Sequence, residues 1–168
     1  MTQHNAYETR KAGDWSHAFD RCILTYDARF LRRKVVKTET GAALLVDLEK
    51  TTSLMDGDAF LLDDGRLIAV VAAPEPLLEI TAPDLTRLAW HIGNRHTPCQ
   101  IEQTRLLIQN DPVMARMVAQ LGATARVVVE PFTPEGGAYG MGRTHGHDHG
   151  ATHGPTDDHD HHHHHHDH

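Results

Sequence analysis

The sequence predicts an α+β protein in which a small all-β domain precedes a ferredoxin-like βαββαβ domain and a disordered histidine-rich tail. Three observations predict it. Short apolar runs broken by turn residues occupy positions 19–71. Extended runs alternate with apolar residues at helical spacing over 77–132. Twelve of the 16 histidines fall within residues 145–168, beside five aspartates and no Lys or Arg. The expected division is a flexible N-terminus over 1–18, the β domain over 19–75, the ferredoxin-like domain over 76–140 and the tail over 141–168.

In the first domain, Cys22-Ile23-Leu24, Ala43-Leu44-Leu45-Val46, Phe60-Leu61-Leu62 and Leu67-Ile68-Ala69-Val70-Val71 are the strand cores. Asp64-Gly65 between two of them is a hairpin signal, because a tight primed turn needs residues that tolerate positive φ. Ala73-Pro74-Glu75-Pro76 is expected to interrupt the ladder and join the domains.

The second domain opens with a strand over Leu77 to Ile80. Thr81-Ala82-Pro83-Asp84 resembles a capping box, and Leu85, Leu88, Ala89 and Ile92 then mark one buried helical face, with Gly93 as its stop. Cys99 to Glu102 and Arg105 to Gln109 read as strands. Asp111-Pro112 supplies the N-cap and first turn of a second helix, whose inner face is Val113, Met114, Met117, Val118 and Leu121. Gly122 closes it, and Ala125 to Val129 is the last strand. From Pro134 onward the chain lacks the apolar content to offset the entropy of ordering, so it is expected to be disordered without metal.

Charge narrows the function classes. The net charge of −7 resides mostly in the tail; the first 144 residues carry 16 basic and 18 acidic side chains, which disfavours nucleic acid as a partner. The longest apolar run, Leu67 to Pro74, is far short of the ~20 residues of a membrane span, and the N-terminus has no apolar signal segment. Cys22 and Cys99 form no CxxC pair, as befits a reducing compartment. A cytoplasmic location without membrane attachment is expected.

The candidate ligands are His96 and the tail histidines His145, His147, His149, His153, His159, His161, His162, His163, His164, His165, His166 and His168. Neutral imidazole suits Ni²⁺, Zn²⁺, Cu²⁺ and Co²⁺, and interspersed aspartates add oxygen donors and solubility. The run of six matches a purification tag, but six further tail histidines interleaved with Asp and Gly do not. His91 falls in the last turn of the first helix, where an imidazole can cap carbonyls; it is a secondary candidate ligand. Cys99, three residues beyond His96, is either a soft ligand or a buried strand thiol. Arg29, Arg32, Arg33, Lys34 and Lys37 form a basic cluster that reads as a solvated strand face or a dock for an acidic partner. No P-loop, GxGxxG, HExxH or GxSxG motif occurs, and His4, His17, His91 and His96 are the only histidines outside the tail. An enzyme is not expected.

Three segments resemble the UreE family of urease accessory proteins. They run from Gly57-Asp58 through Asp64-Gly65 to Ala72-Ala73-Pro74-Glu75, over Leu88-Ala89-Trp90-His91-Ile92-Gly93-Asn94-Arg95-His96-Thr97-Pro98, and over Pro131-Phe132-Thr133-Pro134-Glu135-Gly136-Gly137-Ala138-Tyr139-Gly140. The weaker stretch Asp27-Ala28-Arg29 with Arg32-Arg33 extends the likeness. The resemblance implies a nickel metallochaperone that serves assembly of the urease metallocentre, with a partner-binding β domain, a metal-binding and dimerising second domain, and His96 as ligand at the homodimer interface. It also implies the accessory GTPase UreG and the urease apoprotein complex as partners. Where family members often carry histidine near the second helix, this chain reads Gln109-Asn110-Asp111-Pro112-Val113-Met114, so extra ligands must come from the tail. One His96 per chain is too few to hold a divalent ion, but a twofold axis brings two together. A histidine-rich storage or detoxification protein for Ni, Zn or Cu is the alternative.

Overall fold

The computed structural model describes residues 2–136, arranged as two sheets. The first has six strands: β1 (Gln3–Arg10), β2 (Asp20–Leu24), β3 (Phe30–Lys37), β4 (Ala43–Ser53), β5 (Ala59–Leu62) and β6 (Leu67–Ala72), in the order β2-β6-β5-β1-β4-β3. Alternation drives it: every second residue of β6 is buried, and Leu44, Val46 and Leu48 of β4 join Phe60, Ile68 and Val70 in one core. Gly65, at φ 86°, turns β5 into β6, and the Asp64 carboxylate accepts from Arg66 N and Nε.

Residues 1–18, expected to be flexible, instead contain an interior strand. β1 lies parallel to β4 and antiparallel to β5, with Ala6 opposite both Val46 and Leu62. Ala6 is its one fully buried residue, so the apolar periodicity that announces a strand is missing; backbone pairing on both edges holds it instead. Beyond it, Trp15 Nε1 donates to the Gly57 carbonyl and Ala12 N to Asp58.

The second sheet contains β7 (Pro74–Thr81), β8 (Gln100–Ile101), β9 (Leu106–Gln109) and β10 (Thr124–Pro131), all antiparallel in the order β10-β7-β9-β8, with α1 (Leu85–Asn94) and α2 (Pro112–Gln120) as crossovers. This is the βαββαβ arrangement, and Leu78, Ile80, Leu106 and Ile108 bury the helical faces of Leu88, Ile92, Met114 and Val118. Pro74 and Pro76, expected to break the ladder, belong to β7. They pair with β10 alone, because β9 pairing begins at Leu77, and an open edge tolerates residues without an N–H. Asp111 caps α2 as expected, accepting from Val113 N and Met114 N. The expected capping box at Thr81 does not form, because β7 runs on through Thr81; α1 starts at Leu85 with Asp84 as its N-cap, accepting from Arg87 N.

The two sheets are joined through one buried cation. Arg29 is 1% exposed; its guanidinium donates to the carbonyls of Leu24 and Leu54 in the first domain and to that of Phe132, just past β10. Phe132 packs edge-on to Tyr26 and clusters with Leu77 and Leu107, while Tyr26 N donates to Glu75. Arg29 is thus no part of a solvated face; a charge so buried is held by its carbonyl partners. No helix among the described residues is long and apolar enough to cross a membrane.

Candidate metal centre

The two helices end in the same hydrogen-bonding motif with different residues at its turning point. After α2, Gly122 N donates to the Ala119 carbonyl and Ala123 N to the Val118 carbonyl, with Gly122 at φ 83°. After α1, His96 N donates to the Gly93 carbonyl and Thr97 N to the Ile92 carbonyl, with His96 at φ 56°. Gly93, expected to stop α1, lies inside it; His96 is the stop. Among the described residues His96 is the one non-glycine at positive φ. A side chain there costs roughly 1–2 kcal/mol, a cost met where the surrounding structure enforces it, as at functional sites.

The loop that carries His96 is pinned on three sides. Thr97 Oγ1 donates to Met114 Sδ on α2 at 3.7 Å. Glu135 N donates to the Cys99 carbonyl at 2.8 Å, and Thr133 N to Gln100 Oε1 at 2.9 Å. The segment leading to the histidine tail is therefore tied to the strand that leaves the His96 loop. Sequence reasoning missed Gln100 and Arg29 in this arrangement; the Pro131 to Gly140 stretch was the available signal, and its buried Phe132 is the physical reason for it.

His96 itself is exposed. His91, half-buried in the last turn of α1, stands edge-on to the Trp90 ring at 5.0 Å. The terminal carbonyls of α1 that His91 could have capped are met by backbone N–H groups of Arg95, His96 and Thr97. Cys99 is buried in the second core, where burial first and the Glu135 charge second push its thiol up to about 11, so a thiolate ligand is disfavoured at neutral pH. Among the described residues no three His, Cys, Asp or Glu side chains converge on a metal-sized site. His145 to His168 lie outside the described residues. A site at His96 would need its further ligands from the tail or from a second chain.

On the second sheet, Arg105 bridges Glu79, Glu102 and Glu130 at 2.7–3.1 Å, and Arg126 reaches Glu79 at 2.6 Å. These contacts lower both Glu79, through Arg126 first and Arg105 second, and Glu130, through Arg105. The network ties β7 and β10 to the start of β9.

Two family profiles cover nearly the whole chain: the UreE urease accessory protein N-terminal domain matches residues 3–73, and the C-terminal domain matches residues 75–168. The chain is 68% identical over 142 residues to the urease accessory protein UreE of Ruegeria pomeroyi, covering 84% of this chain and 95% of that one. It is 57% identical over 150 residues to that of Rhodobacter capsulatus, covering 89% and 96%. With the protein of the same name from Beijerinckia indica it shares 50% identity over 142 residues, 82% of each chain.

Proposed function

From the premise that this chain belongs to the UreE family of urease accessory proteins, we propose that it is a non-enzymatic cytoplasmic nickel metallochaperone that binds Ni²⁺ and delivers it for assembly of the urease metallocentre. The observation that carries the reading is the strained backbone of His96. Gly122 does the same turn without strain, so the imidazole at 96 is retained against a local cost.

In this reading His96 and its counterpart in a second chain form the tight site on the homodimer axis. The exposed Trp90 on α1 supports self-association on that side, since a Trp left 63% exposed on a helix is a common interface anchor. The tail histidines complete the ligand shell and add weaker sites that exchange faster, because each binding event there has to order the chain. Zn²⁺, Cu²⁺ and Co²⁺ compete for the same donors, since imidazole selects poorly among them. The cargo passes to the accessory GTPase UreG and the urease apoprotein complex.

The storage reading shares the tail but does not use His96. Activation of urease apoprotein, with UreG and the other accessory proteins present, separates the two. The chaperone reading expects the nickel-loaded chain to raise activation and His96→Gly to lose most of that effect. Equal activation by both chains would place the storage reading ahead.

A further inference from the structure

The basic cluster of the first domain remains unused by this function. β3 is an edge of the six-stranded sheet, and its eight residues include Arg32, Arg33, Lys34 and Lys37 and no acid. All four are exposed. Among the described residues the ion pair to the strip comes from Asp47, 3.9 Å from Arg33 Nε, with Glu49 two residues further along the neighbouring β4. Arg33, Val35 and Lys37 share a face, and Val35 at their centre is 60% exposed. Lysines on an edge also deter strand pairing, so charge alone makes no site.

A second observation points to an occupant. Arg29, the residue before β3, grips the Phe132 carbonyl, so the C-terminal segment passes beside the origin of this strand before Thr133 and Glu135 fasten it to Gln100 and Cys99. The remainder of that segment is acidic: residues 145–168 hold Asp148, Asp157, Asp158, Asp160 and Asp167 with no Lys or Arg, a side-chain charge of −5 with histidine neutral. The 22 residues from Gly136 to Asp157 span up to roughly 70 Å when extended and average roughly 25 Å as a coil, enough to reach Lys34 or Lys37.

We propose that the metal-free tail docks through its aspartates on the basic edge strand β3 of its own chain, and that loading the tail with divalent metal releases it and uncovers the strand. The release step rests on the reading of the tail as a metal carrier. Each ion bound by neutral imidazoles adds two positive charges to the tail, so two ions bring −5 to −1 and remove most of the attraction.

Zero-length carbodiimide coupling of the full chain at pH 7.5 tests this, since the four lysines include an internal control. Lys34 and Lys37 lie on β3, whereas Lys11 is an exposed lysine just past β1. In a mixture of isotopically light and heavy chains, the expected products join tail aspartates to Lys34 or Lys37 within one chain, several-fold over Lys11. About 0.5 M NaCl, which shortens screening to roughly 4 Å, should bring them to the Lys11 level. Saturating nickel should do the same. Equal coupling to Lys11, or products between chains, would overturn docking by the chain's own tail. Nickel that binds yet leaves the coupling unchanged would overturn release. Absence of nickel binding would instead defeat the carrier reading, and the metal-free arm would still decide docking.

Discussion

His96 holds at the end of α1 the backbone position that Gly122 holds at the end of α2: both turn the chain at positive φ while the following residue's N–H closes the helix. One position uses the residue the geometry favours and the other does not. The difference falls on the histidine of the HxGNRHxP segment, within a loop fastened to α2 and to the segment that leads into the tail.

Replacing His96 by glycine should therefore stabilise the fold. Relief of the left-handed backbone gains about 1–2 kcal/mol, and the extra freedom of glycine in the unfolded chain takes back about 0.5–1, for a net gain of up to about 1.5 kcal/mol. His96→Ala keeps the strain and should gain nothing. Urea unfolding of the three chains orders them; a glycine variant less stable than the alanine variant would remove the strain argument.

Arg29 is expected to be the most sensitive residue between the domains. Arg29→Met would leave the Leu54 and Phe132 carbonyls without this donor, while the Leu24 carbonyl keeps its bond from Ala73 N. At about 1–3 kcal/mol for each buried group left unpaired, the variant should lose about 2 kcal/mol or more. A loss below about 1 kcal/mol in the same urea assay would show that water replaces the clasp readily.

The Arg105 network predicts a pH dependence with a definite sign. Glu79 and Glu130 are held below the ordinary glutamate value of 4.5 in the folded chain. Their pairing thus adds stability above that value, and the contribution is lost as pH falls through the lower folded values. Arg105→Gln should be less stable than the parent at pH 7, and the gap between their urea midpoints should narrow below pH 4.5. A gap that is constant from pH 7 to pH 3 would mean Arg105 acts through packing alone.

The sequence was most legible where a local rule acts alone. Asp111 caps α2 because a short acceptor before apolar periodicity does so, and Gly122 ends that helix because it tolerates positive φ. Legibility failed where tertiary pairing overrides a local signal. β1 is a strand by virtue of β4 and β5, its own residues offering only Ala6 to the core. Pro74 and Pro76 read as breakers because the length of β9 cannot be seen locally. Gly93 reads as the helix stop because glycine is the commonest left-handed cap and histidine a far rarer one. Arg29 looks like one of a basic row because nothing local distinguishes a buried arginine from its exposed neighbours.

Nickel titration of the full chain beside His96→Gly, with oligomeric state measured on the same samples, decides whether His96 is the ligand of a tight site. In the proposed site two copies of His96 share one ion, so the substitution would remove two ligands at once. The tightest class of nickel binding should weaken by at least the roughly 10–100-fold that loss of a ligand's supporting contacts already causes. The dimer and the larger number of weak sites should persist. Tight binding unchanged in a folded, dimeric His96→Gly chain would contradict the assignment of His96 as the metal ligand.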